Sequence, residues 1–279
     1  MKKVTTYIQS ERKILLALGI LVLFSLFCWL LWKPARDFGL NFFTEMLGVA
    51  VTIIVIDRLI EGREQRKSIP LKLASYEDIR IYTARYIAFW TQVFRDSVPE
   101  DDPKTIELFF SKESMSKVQQ YLYMDSEPNV SPKMRYSDWI VQNAKEFKEK
   151  GNNILDRHGY NLDPEVYGHV HALTESMFNG MLLHINSIEQ TDARMKFPRV
   201  RTFGNYSFYF SGEDYTAVLG LIRWCEETYL KLKGHSRFIK ESIFYFPQSN
   251  KKIPPKCMIP DDVLKKQKSE LEEFIKQNK

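Results

Sequence analysis

The chain has 279 residues, long enough for one or two domains, and its 40 Lys+Arg against 35 Asp+Glu give a formal net charge of +5. Its 44% hydrophobic and 27% charged residues exclude wholesale disorder, and only 12 Gly and 12 Pro exclude collagen-like or low-complexity sequence. A core of this size needs no disulfide or metal staple, and the mean hydropathy of −0.33 averages over unlike parts.

Ile14 to Trp32 is a run of 19 residues without a charge. As a helix it would be about 29 Å long, close to the hydrocarbon thickness of a bilayer. The run is too long for a signal peptide, and Lys33-Pro34-Ala35-Arg36 offers no small-x-small cleavage site. A second apolar run covers Phe38 to Ile56, interrupted by Asn41, Thr44, Glu45 and Thr52. The short connection between them predicts a transmembrane hairpin with spans 14–32 and 38–56. Alone, the second run also fits a buried or interfacial helix.

Basic residues set the predicted orientation. Four Lys/Arg precede the first run, two lie in the connection, and five follow from Arg58 to Lys72. The positive-inside rule then places both termini in the cytoplasm of a two-span inner-membrane protein. Thr44, Gly48 and Thr52 recur every fourth residue, as a face against the first helix or against another copy. Glu45 is an intramembrane carboxylate or an interfacial one. These four are the helix-packing or pore candidates.

Arg58 to Ile69 continues the second run as a charged exit helix, and Pro70 is read as the break between the anchor, 1–70, and a cytoplasmic helical domain, 71–249. Ile79, Tyr82, Tyr86, Trp90 and Val93 share one helical face, predicting a helix to about Val98. Asp102-Pro103, Ser131-Pro132 and Asp163-Pro164 read as helix starts. The last would open one long helix through Val166, Val170, Leu173, Met177, Met181, His184 and Ile188. Ser211 followed by Glu213 and Asp214 opens another, running to Gly234. Two aromatic stretches, Arg199–Phe210 and Glu241–Phe246, pair as a small β-ribbon or lie as loops over the bundle. The remainder, 250–279, reads as a Pro-rich linker and a charged helix from Asp261 to Gln277. The predicted fold class is mainly α: a transmembrane helical hairpin followed by a helical bundle-like domain, with that ribbon as its β content.

The chemistry is sparse. His169 and His171 are two apart and face different ways on a helix, whereas His171 and Glu175 can share a face. No His-Glu-x-x-His motif, P-loop, Gly-x-Gly-x-x-Gly or Gly-x-Ser-x-Gly turn is present. Cys28, Cys225 and Cys257 form no Cys-x-x-Cys pair. No catalytic residue, metal ligand or cofactor is assigned. The partner or ligand surface candidates are Arg199, Arg201, Tyr206, Phe208 and Tyr245, a basic cluster beside aromatics; core packing is the alternative for the aromatics. Beyond Lys72 the chain holds 29 basic and 29 acidic residues, so the +5 belongs to the N-terminal part. A neutral domain lacks the strong basic field that nucleic acid requires.

Leu47-Gly48-Val49-Ala50-Val51-Thr52, followed by Ile56-Asp57-Arg58-Leu59-Ile60-Glu61, resembles small bacterial inner-membrane proteins with an N-terminal helical hairpin. Some of these are membrane effectors of anti-phage systems, including retron-type systems. The resemblance covers only about Met1 to Pro70. It implies an inner-membrane defence effector that senses a signal or a co-encoded partner and disrupts the bilayer, with homo-oligomers as its active form. The alternatives are a non-toxic membrane-tethered interaction or scaffold protein and a tethered enzyme such as a nuclease, for which the His169/His171/Glu175 region is the candidate.

Overall fold

The computed structural model describes residues 19–24, 26, 27, 29, 30, 36–236, 239–241, 244 and 255–277. The chain divides into two compact units, Met1–Pro70 and Leu71–Lys279. The fold is mainly helical, and no strand is formed among the described residues.

In the first unit, the described residues between 19 and 30 are helical, and helix α1 begins at Arg36 and runs to Ser97. The Trp29 and Phe43 rings stack at 6.2 Å, and Phe38 stacks on Phe42 at 5.7 Å. Pro70 lies inside α1 rather than ending it, although it cannot donate the helical hydrogen bond of its position. Among the described residues, no helix is long and apolar enough to cross a membrane. This finding corrects the expected two-span inner-membrane placement. The run 38–56 opens a 62-residue helix that continues through the charged residues 57–67, as expected, and then past Pro70. Asn41, Thr44, Glu45 and Thr52 interrupt its apolar surface. Of the run 14–32, residues 14–18, 25, 28, 31 and 32 lie outside the described residues.

The second unit is built around the later part of α1. Ile79, Tyr82, Tyr86, Trp90 and Val93 are all buried, as their three-four spacing predicts. Seven further helices follow: α2 Ile106–Phe109, α3 Lys112–Tyr121, α4 Tyr136–His158, α5 Pro164–Thr174, α6 Met177–Leu182, α7 Ile185–Met195 and α8 Gly212–Leu232. Helix α9, Asp261–Gln277, closes the described chain.

Local chemistry sets several boundaries. Asp102 does not cap a helix; it pairs with Arg95 at 2.8 Å, and Thr105 caps α2 by accepting from the Leu108 amide. Ser131-Pro132 precedes α4 by four residues rather than opening it. Asp163-Pro164 does open α5, with Pro at its first turn. The single long helix expected beyond it is three helices instead. Ser176 accepts from the Asn179 amide at 3.0 Å, and Asn179 donates to the Leu173 carbonyl at 2.7 Å, so α5 is ended and α6 begun within one turn. Ser211 opens α8 as expected, and it does so through a reciprocal capping box with Asp214.

Helices α5 and α8 pack closely because Gly220 leaves room for the His169 ring; a Cβ there would stand 2.2 Å from His169 Nε2. Of the two stretches expected to pair as a ribbon or lie as loops over the bundle, the first, 199–210, makes backbone hydrogen bonds with residues 121–124. Residues 121–124 form a hub with neighbours on both sides. The Met124 amide donates to the Arg201 carbonyl and the Phe203 amide to the Leu122 carbonyl. The Tyr123 amide donates to the Cys257 carbonyl and the Ile259 amide to the Tyr121 carbonyl. Residues 255–260, inside the stretch read as a linker, are thus docked, with Cys257 and Ile259 buried. Of the second aromatic stretch, Phe244 packs partly buried on the core, and 242, 243, 245 and 246 lie outside the described residues.

Candidate functional site

The second unit carries a polar cavity of about 680 Å³. Helix α7 supplies Asn186, Glu189 and Asp192, the start of α4 supplies its N-cap Arg135 and its first-turn Asp138, and the segment after α7 supplies Lys196, Phe197 and Arg201. Lys196 takes a left-handed conformation (φ 51°) at the end of α7, which turns the chain back across the cavity.

Arg201 is the centre of the wall. Its Nε and Nη2 donate to the two Asp125 oxygens at 3.0 and 2.7 Å, and Nη2 also donates to Glu189 Oε1 at 2.7 Å. Its Nη1 donates to the Tyr206 hydroxyl, and its guanidinium carbon lies 5.2 Å from the Tyr206 ring centroid. The second Glu189 oxygen takes Arg135 Nη2 at 3.0 Å. Arg199 grips Asp192 with two hydrogen bonds of 2.6 and 3.0 Å, and its guanidinium carbon lies 5.3 Å from the Phe197 ring centroid and 5.6 Å from that of Tyr206. Fork-to-carboxylate pairs of this kind fix orientation as well as charge. Burial weakens the hold of Arg201 on its proton, but the Asp125, Tyr206 and Glu189 interactions outweigh it and hold the guanidinium above its ordinary range. Burial also pushes the Tyr206 hydroxyl up to about 12, against the opposing pull of Arg201. Both groups therefore keep their protons at neutral pH.

The lining cations Arg135, Lys196 and Arg201 balance the carboxylates Asp138, Glu189 and Asp192. One polar atom is left over. Asn186 Oδ1 is buried and has no hydrogen-bond partner. A buried acceptor without a donor costs about 1–3 kcal/mol, so such a group calls for a reason.

The structure brings together Arg199, Arg201 and Tyr206 from the expected partner surface. Phe208 is not part of that cluster. Its ring is 47% exposed, and its carbonyl accepts from Gln119 Nε2 at 2.7 Å. Tyr245 lies outside the described residues. In the first unit, Thr44 Oγ1 reaches the Leu40 and Asn41 carbonyls at 3.1 and 2.8 Å, and Thr52 Oγ1 donates to the Gly48 carbonyl at 2.8 Å. Gly48 and Glu45 are exposed, and nothing stands within 4 Å of where a Gly48 Cβ would be. Asp125, Arg135, Asn186, Glu189 and Asp192 were not expected from the sequence. Glu189 and Asp192 share a face of α7, three residues apart, but nothing local marks them as partners of Arg201 and Arg199.

The histidine region is occupied structurally. His171 stacks on Tyr167 at 6.2 Å, Glu175 pairs with Lys148 at 3.3 Å, and His158 Nε2 lies 2.8 Å from Asp78. Among the described residues, no group of three or more His, Cys, Asp or Glu side chains could hold a metal. No family model, curated protein or solved structure matches the chain.

Two buried acidic protons make stability depend on pH. Burial pushes the Cys225 thiol up to about 12 against a hydrogen bond with Thr83, and the Tyr82 hydroxyl up to about 12 against one with Thr174. In the unfolded chain these groups ionise near 9 and 10. Only the unfolded chain then loses protons above pH 9, so this stability is fully present below pH 9 and is lost as pH rises toward 12. Urea midpoints at pH 8, 9.5 and 11 should fall in that order, and Cys225→Ala should flatten the first part of the fall.

Proposed function

We propose that the chain is an interaction protein whose Leu71–Lys279 unit receives a polar, hydrogen-bond-donating segment of a partner in the cavity on α7. The observation that carries this reading is the orphan Asn186 Oδ1 in a cavity whose charges are already balanced. Balanced walls do not select a strong anion or cation. They suit a neutral or zwitterionic group that brings an N–H or O–H donor to Asn186, and Phe197 offers it an apolar surface. The sensing half of the defence-effector role implied by the N-terminal resemblance fits such a receiver.

The test separates binding from folding. Asn186→Leu removes an acceptor that the fold leaves unsatisfied, so its urea midpoint should equal or exceed that of the parent. A benzophenone amino acid at the exposed cavity residue Ala193 should form a discrete adduct in cells that carry the chain with its genomic neighbours. That adduct should fall at least tenfold in Asn186→Leu. An adduct indifferent to Asn186, or none, overturns the reading.

A further inference from the structure

We infer that α9 is an autoinhibitory strap: docked, it occupies part of the surface that the partner segment needs, and its release frees that surface. The inference rests on the cavity reading above and adds its regulation.

The first observation is where α9 lands. Leu264, Gln267, Leu271 and Phe274 fall within about 80° of arc on the helix. All four are half-buried, so this is the face laid on the domain. Two of them end on residues of the cavity wall. Gln267 Oε1 accepts from the Arg201 amide at 2.9 Å. The Phe274 ring meets Phe197 edge-on, with centroids 5.5 Å apart. Neither Gln267 nor Phe274 lines the cavity, so α9 grips the wall from outside it. With α9 lifted, Arg201 presents its N–H and Phe197 a bared ring, in a lining that already holds the open acceptor Asn186 Oδ1. A donor, an acceptor and an apolar ring together match an extended peptide. Its backbone supplies both hydrogen-bonding partners, and a side chain covers the ring.

The second observation is how lightly α9 is held. None of its 17 residues is buried, whereas the 10-residue α3 buries four and the 21-residue α8 buries seven. Elements with few buried contacts open locally, well below the cost of global unfolding. The chain just before α9 is the opposite case. Cys257 and Ile259 are 2% and 3% exposed, and the Ile259 amide is bonded to the Tyr121 carbonyl. The change from fixed to lightly held chain falls at the exposed Pro260, so the strap stays tethered when it lifts.

Hydrogen exchange of the full chain should show α9 amides exchanging at least tenfold faster than those of α8. Equal rates would mean that α9 opens only with the core, and would overturn the inference. Gln267→Ala/Phe274→Ala in the full chain should raise the Ala193 benzophenone adduct at least threefold, and adding Asn186→Leu should cancel the gain. A helix that merely braced the wall would give the opposite sign. An adduct that falls or holds level in the double variant therefore overturns the strap, while an Asn186-dependent adduct in the parent still upholds the cavity reading. No adduct in either chain overturns both.

Discussion

Replacing Trp90 by alanine should lower the stability of the second unit by about 3–5 kcal/mol, the range for emptying a buried aromatic site. Trp90 is 1% exposed and stands where α1 meets the rest of the core. Its ring lies 4.9 Å from Phe89, 5.2 Å from Phe178 on α6 and 6.0 Å from Phe203, with Tyr86 edge-on at 6.3 Å. Those neighbours come from three parts of the chain and cannot all move inward to fill the space. A domain typically has about 5–15 kcal/mol in hand, so the loss is a large share of the total. Trp224 is the control. It is only partly buried and has a tilted contact with Tyr76 at 6.4 Å. Trp224→Ala should cost clearly less. Urea midpoints of the two variants, read by circular dichroism, decide the order; equal costs would mean that Trp90 is not the centre of the core.

Arg201→Ala is the second large effect, at about 2–4 kcal/mol. Removing one member of a buried ion pair leaves the other charge uncompensated, which costs about 3–5 kcal/mol in full burial. The Arg201 side chain retains 18% exposure, which softens that figure. Asp125 suffers most, because Arg135 Nη1 is its other basic neighbour and lies 3.8 Å away. Glu189 keeps Arg135 at 3.0 Å. The double variant Arg201→Ala/Asp125→Ala should therefore cost less than the two singles together, by about 1 kcal/mol or more. Additive costs would show that the pair contributes no coupling. Because Arg201 also forms the cavity wall, the single variant should abolish the Ala193 adduct, whereas Asn186→Leu abolishes it with the fold intact.

The helical core was legible because burial follows a period of 3.6. The face from Ile79 to Val93 needs no tertiary knowledge, and neither does the helix start at Ser211, whose cap is complete within four residues. The breaks between α5, α6 and α7 were hidden. The apolar spacing from Val166 to Ile188 continues across them, and a two-bond device at Ser176 and Asn179 overrides it. The charged network was hidden for a different reason. Arg201 and Asp125 are joined only by the folded chain, so sequence reading found the arginines and tyrosine but not the carboxylates that hold them. The membrane placement is overturned by the helix itself: among the described residues no helix is long and apolar enough to cross a bilayer. Asn41, Thr44, Glu45 and Thr52 interrupt the run 38–56, whereas its continuation as a charged helix is as expected.

The hub at residues 121–124 has a consequence for how the molecule acquires its shape. Its two neighbours, near Thr202 and Met258, lie far along the chain, and each must return to the same four residues. Closing such long loops costs entropy before any contact rewards it, and topologies of this kind fold slowly. During synthesis the first part of the hub emerges long before Cys257 and Ile259 exist to complete it. Until they arrive, the Tyr123 amide and the Tyr121 carbonyl remain open edges. The nascent chain therefore passes through a period in which the partly assembled second unit exposes a short pairing edge, and completion of the hub waits on Cys257 and Ile259.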